Sequence, residues 1–195
     1  MNLAVVAAVF PVIFLGELPD KTMFASLVMA TRGRPFAVWL GATAAFAAHV
    51  VIATTAGVVL MDILPRRAVD VAVALTFFAG AAFMVYEARW GADETIPALP
   101  QARMRRRRSA ATAFGVIFLA EWGDLTQVLT VNLAVHYHSA LSVGLGALLA
   151  LAAVAGIAVT GGKGLLRLVS PTAARLLTAA ALLALGSYAA FTAFR

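Results

Sequence analysis

Six long apolar runs constrain this chain more than any other feature: Leu3 to Ala30, Phe36 to Met61, Ala68 to Val85, Ala110 to Ala134, Ala140 to Val159 and Thr172 to Phe194. Each carries little or no charge and is about 20 residues long or more, enough to cross a hydrocarbon layer of ~30 Å at 1.5 Å per helical residue. In hydrocarbon a segment must satisfy its own backbone polar groups. The runs are continuous and rich in Ala and Leu rather than short and alternating, so helices are expected and not a barrel. Composition agrees, with 63% hydrophobic and 12% charged residues against roughly half and a quarter in soluble domains. The expected fold class is an all-α integral membrane protein with six transmembrane helices, and no room is left for a separate soluble enzyme domain. The first run has no basic stretch before it and reads as a retained span, not a cleaved signal.

The net charge of +6 and a pI near 10.8 would suggest nucleic acid in a soluble chain, but the bases sit in the connections and not along one helical face. After the first, third and fifth runs come Arg32, Arg34, Arg89, Arg103, Arg105 to Arg108, Lys163, Arg167 and Arg175, whereas the other side holds only Arg66, Arg67 and Arg195. Positive-inside bias therefore predicts a multi-pass protein of the cell's inner (plasma) membrane, with the central basic loop cytoplasmic and both termini outside. The Arg105 to Arg108 run reads as a topology anchor, with anionic-lipid contact the lesser alternative; membrane lipids are expected partners and nucleic acid is not. Cysteine is absent, which excludes disulfides and thiolate ligands.

Two of the runs contain acids in a repeated pattern. FPVIFLGELPDKT begins at Phe10 and FGVIFLAEWGDLT at Phe114, an offset of 104 residues that pairs Glu17 with Glu121, Asp20 with Asp124 and Thr22 with Thr126. Matched carboxylates inside two apolar runs mark an internal duplication. We divide the chain accordingly into a first three-helix repeat over 1–90, a basic linker over 91–109 and a second repeat over 110–195. Three spans per repeat is an odd number, so the second copy must enter the membrane inverted, an architecture typical of transporters with ion sites at the repeat interface. Pro19 and Gly123 stand between the paired acids and favour a kink or break there. Small residues at Gly41-Ala-Thr-Ala-Ala and Gly144-Leu-Gly-Ala should let helices approach closely around the site, within one chain or in a homodimer.

Glu17 and Asp20, like Glu121 and Asp124, are three apart and share a helical face. Ionised acids in hydrocarbon are costly, so four of them point to a polar path, an ion or protonation. All-oxygen donors suit hard divalent ions such as Ca²⁺, Mn²⁺ and Mg²⁺. Crowded carboxylates also hold protons, which makes cation and proton occupancy mutually exclusive. Thr22 and Thr126 are candidate hydroxyl ligands, Gln127 adds an amide, and Lys21 is placed to offset part of the negative charge. His49 reads as an interhelical hydrogen-bond partner, and His136 and His138 as boundary residues. The glycines at 161, 162 and 164 do not complete a phosphate loop. The chain reads as a transporter and not an enzyme, with no cofactor. A six-helix exporter of a small organic cation or amino acid and a nontransporting membrane scaffold are the alternatives.

The paired GELPDKT and AEWGDLT segments resemble the signature of the Golgi and bacterial calcium/manganese transporter family, also described as a second calcium:cation antiporter family, which carries two E-x-G-D-basic-T/S motifs. The resemblance covers essentially the full length. It implies exchange of Mn²⁺ or Ca²⁺ for protons, with Glu17, Asp20, Glu121 and Asp124 as metal and proton ligands, Thr22, Thr126 and Gln127 near them, and, for a bacterial-type member, Mn²⁺ efflux. The two halves would rock around the carboxylates in alternating access. Pro19 replaces the glycine of the first motif and Leu125 the basic residue of the second.

Overall fold

A computed structural model of the chain describes residues 1–18, 21–63, 65–90, 109–122, 124–165 and 171–193. Among them are eight helices: α1 (Leu3–Glu17), α2 (Lys21–Arg32), α3 (Pro35–Ile63), α4 (Arg66–Trp90), α5 (Ser109–Ala120), α6 (Leu125–Tyr137), α7 (Ala140–Leu165) and α8 (Pro171–Ala193). Four runs become single helices at nearly the expected limits. The first and fourth do not: each is two short helices that meet at the acid motif. Leu18 is extended (φ −80°, ψ 124°) and ends α1, while Asp124 is extended (φ −72°, ψ 161°) and caps α6. Pro19 and Gly123, to which the break was assigned, lie outside the described residues, as does the linker at 91–108, whereas the TGGKG segment expected to be a connection continues α7 as far as Leu165.

Three helical stretches, Pro35–Ile63, Arg67–Trp90 and Ala140–Gly161, are long and apolar enough to cross a membrane, and Leu3–Glu17, Ser109–Ala120 and Arg175–Phe191 are shorter apolar helices. Large apolar side chains point outward from several of them, including Leu75, Phe83, Leu119, Leu141, Leu177 and Phe191. Such a surface suits lipid and not water.

The packing interleaves the two sets of four helices. Asn2 N–H donates to Ser142 Oγ at 2.8 Å, the Val6 carbonyl and Val9 lie against Gly146, and Leu18 packs with Val154, so α1 runs parallel to α7. In the second set the Ala110 carbonyl lies against Gly41 and Phe118 O meets His49, so α5 runs parallel to α3. Trp39 Nε1–H donates to Ala152 O at 2.9 Å and Thr54 touches Gly144, which makes α3 and α7 antiparallel. It follows that α1 and α5 point in opposite directions. Each broken run is thus held by the long helix of the other set, at the small-residue stretches expected to permit close approach. A continuous core of Val9, Ile13, Phe46, Phe77, Ile117, Leu133 and Leu182 fills the space between. On the flank, α4 packs against α8, with Arg175 Nε 3.8 Å from Glu87 Oε2.

Candidate cation site

The junction of α1 with α2 and that of α5 with α6 face one another at the centre of this arrangement. Glu17 ends α1 and is 0% exposed, Glu121 follows α5 at 3%, and Asp124 caps α6 from a partly buried position. One oxygen from each of these three carboxylates lies within 4.8 Å of the others. Two acids of the second motif and one of the first therefore converge from oppositely directed helices, which is the geometry expected of a shared polar site and not of separate packing contacts. Asp20 and the side chains of Lys21 and Leu125 lie outside the described residues.

The hydroxyls follow the same repeat. Thr22 Oγ1 donates to Glu17 Oε1 across the first junction. Across the second, Thr126 Oγ1 stands 3.4 Å from Glu121 Oε2 and 3.3 Å from Asp124 Oδ2, with one proton to give to either. Thr126 N–H also faces Asp124 Oδ2 at 3.5 Å, so the carboxylate meets the positive end of the α6 dipole. Thr22 and Thr126 are buried. Their hydroxyls thus orient the glutamates and remain within reach of whatever the glutamates bind.

Charge makes the cluster demanding. Two ionised carboxylates 4.8 Å apart repel by about 3–4 kcal/mol at an effective dielectric of 20. Three of them need a cation or protons to remain buried together. The adjoining cavity, bordered by His49, Glu121, Thr126, Gln127 and Thr130, has a volume of about 10 Å³, room for one water-sized particle.

Two borders of this cavity were weakly marked in the sequence. His49 comes from α3 and meets the end of α5, its Nε2 lying 2.9 Å from Phe118 O, in keeping with its expected interhelical role. It also faces Gln127, whose Nε2 lies 3.3 Å from His49 Nδ1, a contact that no spacing in one sequence could reveal. Thr130 bonds back to Thr126 O at 2.7 Å. Asn132 donates to Val128 O and serves packing within α6.

Sequence comparison adds independent findings. A family profile described as "Divalent cation/proton antiporter GDT1" matches residues 5–92 and 109–195. The chain is 30% identical over 165 residues to "GDT1-like protein sll0615" of Synechocystis sp., covering 77% of this chain and 79% of that protein. It is 30% identical over 141 residues to a Vibrio cholerae protein named "Putative manganese exporter", covering 72% and 66% respectively. "GDT1-like protein 3" of Oryza sativa subsp. indica is 28% identical over 171 residues, 77% of this chain and 61% of its own length. No solved structure matches.

Proposed function

The chain belongs to the GDT1 family of divalent cation/proton antiporters, a transporter and not an enzyme, and from that premise we propose that it exports Mn²⁺ from the cytoplasm in exchange for protons. The observation that carries the reading is the convergence of Glu17, Glu121 and Asp124 within 4.8 Å. Three carboxylates with Thr22 and Thr126 beside them offer only hard oxygen donors, the set that Mn²⁺ and Ca²⁺ accept. The name of the Vibrio relative favours Mn²⁺. Asp20 completes the ligand set by its equivalence to Asp124, and Lys21 offsets part of the charge.

Exchange follows from the electrostatics. With the cation bound, the acids are ionised; when it leaves, their repulsion is relieved by protons taken from the side to which the site is open. A loaded site of either kind is neutral enough to move through hydrocarbon, whereas an empty ionised site is not. Protons enter the cytoplasm down their gradient, so the coupled cation leaves it. We read the six runs as six spans forming two inverted repeats over 1–90 and 110–195, joined by the cytoplasmic basic linker, with both termini outside. Support comes from the opposed directions of α1 and α5 and from the Arg175–Glu87 pair, whose members flank connections assigned to one face. Alternating access then opens the carboxylates to one side at a time as the short helices shift on their long hosts.

In proteoliposomes, a proton gradient is expected to drive Mn²⁺ uptake into acid-loaded vesicles, accompanied by proton efflux, with unlabelled Ca²⁺ competing less well than unlabelled Mn²⁺. Folded protein that moves neither ion would overturn the proposal, and equal competition by Ca²⁺ would remove the preference for Mn²⁺. Replacing Thr126 by Val keeps the shape but removes the hydroxyl. The KM for Mn²⁺ should rise about tenfold, in line with the loss of one hydrogen bond to a charged group, while the melting temperature changes little. An unchanged KM would leave Thr126 with a packing role.

A further inference from the structure

His49 is one of the positions at which this site departs from the repeat. At the offset of 104 residues its counterpart is Ala153, and the counterpart of Gln127 is Met23, so only the second acid motif has this polar pair beside it. The ring is 4% exposed. It lies 4.7 Å from the Phe118 ring and meets the edge of Trp122 at 5.8 Å, contacts that fix its plane.

Its hydrogen bonds have a defined direction. A carbonyl oxygen only accepts, so the 2.9 Å contact with Phe118 O requires the proton on His49 Nε2. In the neutral ring Nδ1 is then an acceptor, and Gln127, at 3.3 Å, must meet it with its NH₂. That choice orients the whole amide: with the nitrogen engaged by His49, Oε1 occupies the opposite edge of the group. A hard cation binds an amide oxygen and is repelled by an amide NH₂, so the orientation decides whether Gln127 serves or obstructs the cavity that it borders with Glu121 and Thr126.

We propose that His49 is a positioning residue of the second motif, which takes the Gln127 NH₂ so that Oε1 joins the Mn²⁺ coordination sphere, and pins the end of α5 to α3 through Phe118 O. The inference rests on the cation-transport reading above and adds a residue from the first repeat to the cation site of the second. It makes the two motifs unequal as ligands, since the first has Met23 where the second has Gln127.

Two substitutions separate the two bonds. His49→Gln places an amide nitrogen near the position of Nε2 and keeps the tie to Phe118 O, but leaves no acceptor at Nδ1. The KM for Mn²⁺ in proteoliposomes should rise about tenfold, the size expected for losing one oriented ligand, with maximal rate and melting temperature changing less. His49→Asn places an oxygen near Nδ1 and keeps the acceptor for Gln127, so KM should return to within about twofold of the unsubstituted protein, at a lower melting temperature because the α5 tie is gone. In His49→Gln, the added change Gln127→Ala should raise KM no further. The same order is expected in a binding measurement that needs no turnover, the rise in melting temperature on adding Mn²⁺. Equal KM for His49→Gln and His49→Asn, or additive effects of His49→Gln and Gln127→Ala, would overturn the inference. Absence of Mn²⁺ exchange by the unsubstituted protein would instead overturn the transport reading, and the binding series would still decide the role of His49.

Discussion

Glu17→Gln is expected to abolish cation/proton exchange while leaving the protein folded and at least as resistant to heat. The two effects have opposite signs for one reason. Glu17 is fully buried within 4.8 Å of two other carboxylates, so removing its charge relieves both their mutual repulsion and the cost of burying an ion. The amide keeps the volume and an oxygen that can still accept from the Thr22 hydroxyl. It can neither bind a proton reversibly near neutral pH nor supply an anionic oxygen to a divalent ion. Loss of a buried charged partner costs about 2–5 kcal/mol, which places Mn²⁺ affinity and exchange down by about 30-fold to several thousand-fold. Proteoliposome flux and a melting curve on one preparation test both halves. A variant that loses stability and retains flux would assign Glu17 to scaffolding and remove the carboxylate site from the mechanism.

The second large effect is expected far from any charge. A Cβ on Gly41 would stand 2.1 Å from the Ala110 carbonyl oxygen and 2.9 Å from its carbon, and both belong to backbone that no rotamer change can move. Gly41→Ala must therefore push the start of α5 off α3, and with it the helix that carries Phe118 and leads into Glu121. Overpacking of this kind costs about 1–3 kcal/mol or more, and a loss near 3 kcal/mol lowers the melting temperature of a chain of this size by about 6–12 °C. Gly16→Ala is the matched comparison. A Cβ there meets only side-chain methyls at 3.7–4.0 Å, and the repeat already carries Ala120 at the equivalent position, so melting temperature and exchange should be preserved. If both variants melt alike, the close approach of α5 to α3 is not what holds the second junction in place.

The contrast between these glycines shows what could be read in advance. Helix positions were legible because each segment in hydrocarbon must close its own hydrogen bonds, so apolar length largely delimits it; α3 and α8 begin and end within two residues of the runs that announced them, while α7 begins at Ala140 as expected and runs on through TGGKG to Leu165. The convergence of Glu17, Glu121 and Asp124 was legible because duplication supplies a second copy to compare with the first. The clustering of small residues near Gly41 and Gly144 was legible for the same reason that GxxxG pairs are. Which of those glycines meets a carbonyl was not, since that depends on the axial register of two helices distant in sequence. His49 was the least legible. It has no repeat partner, and its acceptor Phe118 O is a backbone atom, identical in every residue type. The first and fourth runs were long enough to be read as single spans, and their division into α1–α2 and α5–α6 reflects the demands of the acids rather than any loss of apolar length.

The interleaving of the two halves bears on where such a chain can come from. Because α1 rests on α7 and α5 on α3, the first helix of each divided span has its host in the other half. A protein consisting of one half would find that host only on a second copy lying head to tail with it, so the unit of folding is a pair even where one polypeptide supplies both members. Joining them turns a chance meeting of two opposed molecules into an intramolecular event at high effective concentration. Once joined, the members were released from having to match: the first carries His49 where the second has Ala153, and the second carries Gln127 where the first has Met23, a division of labour closed to two identical copies.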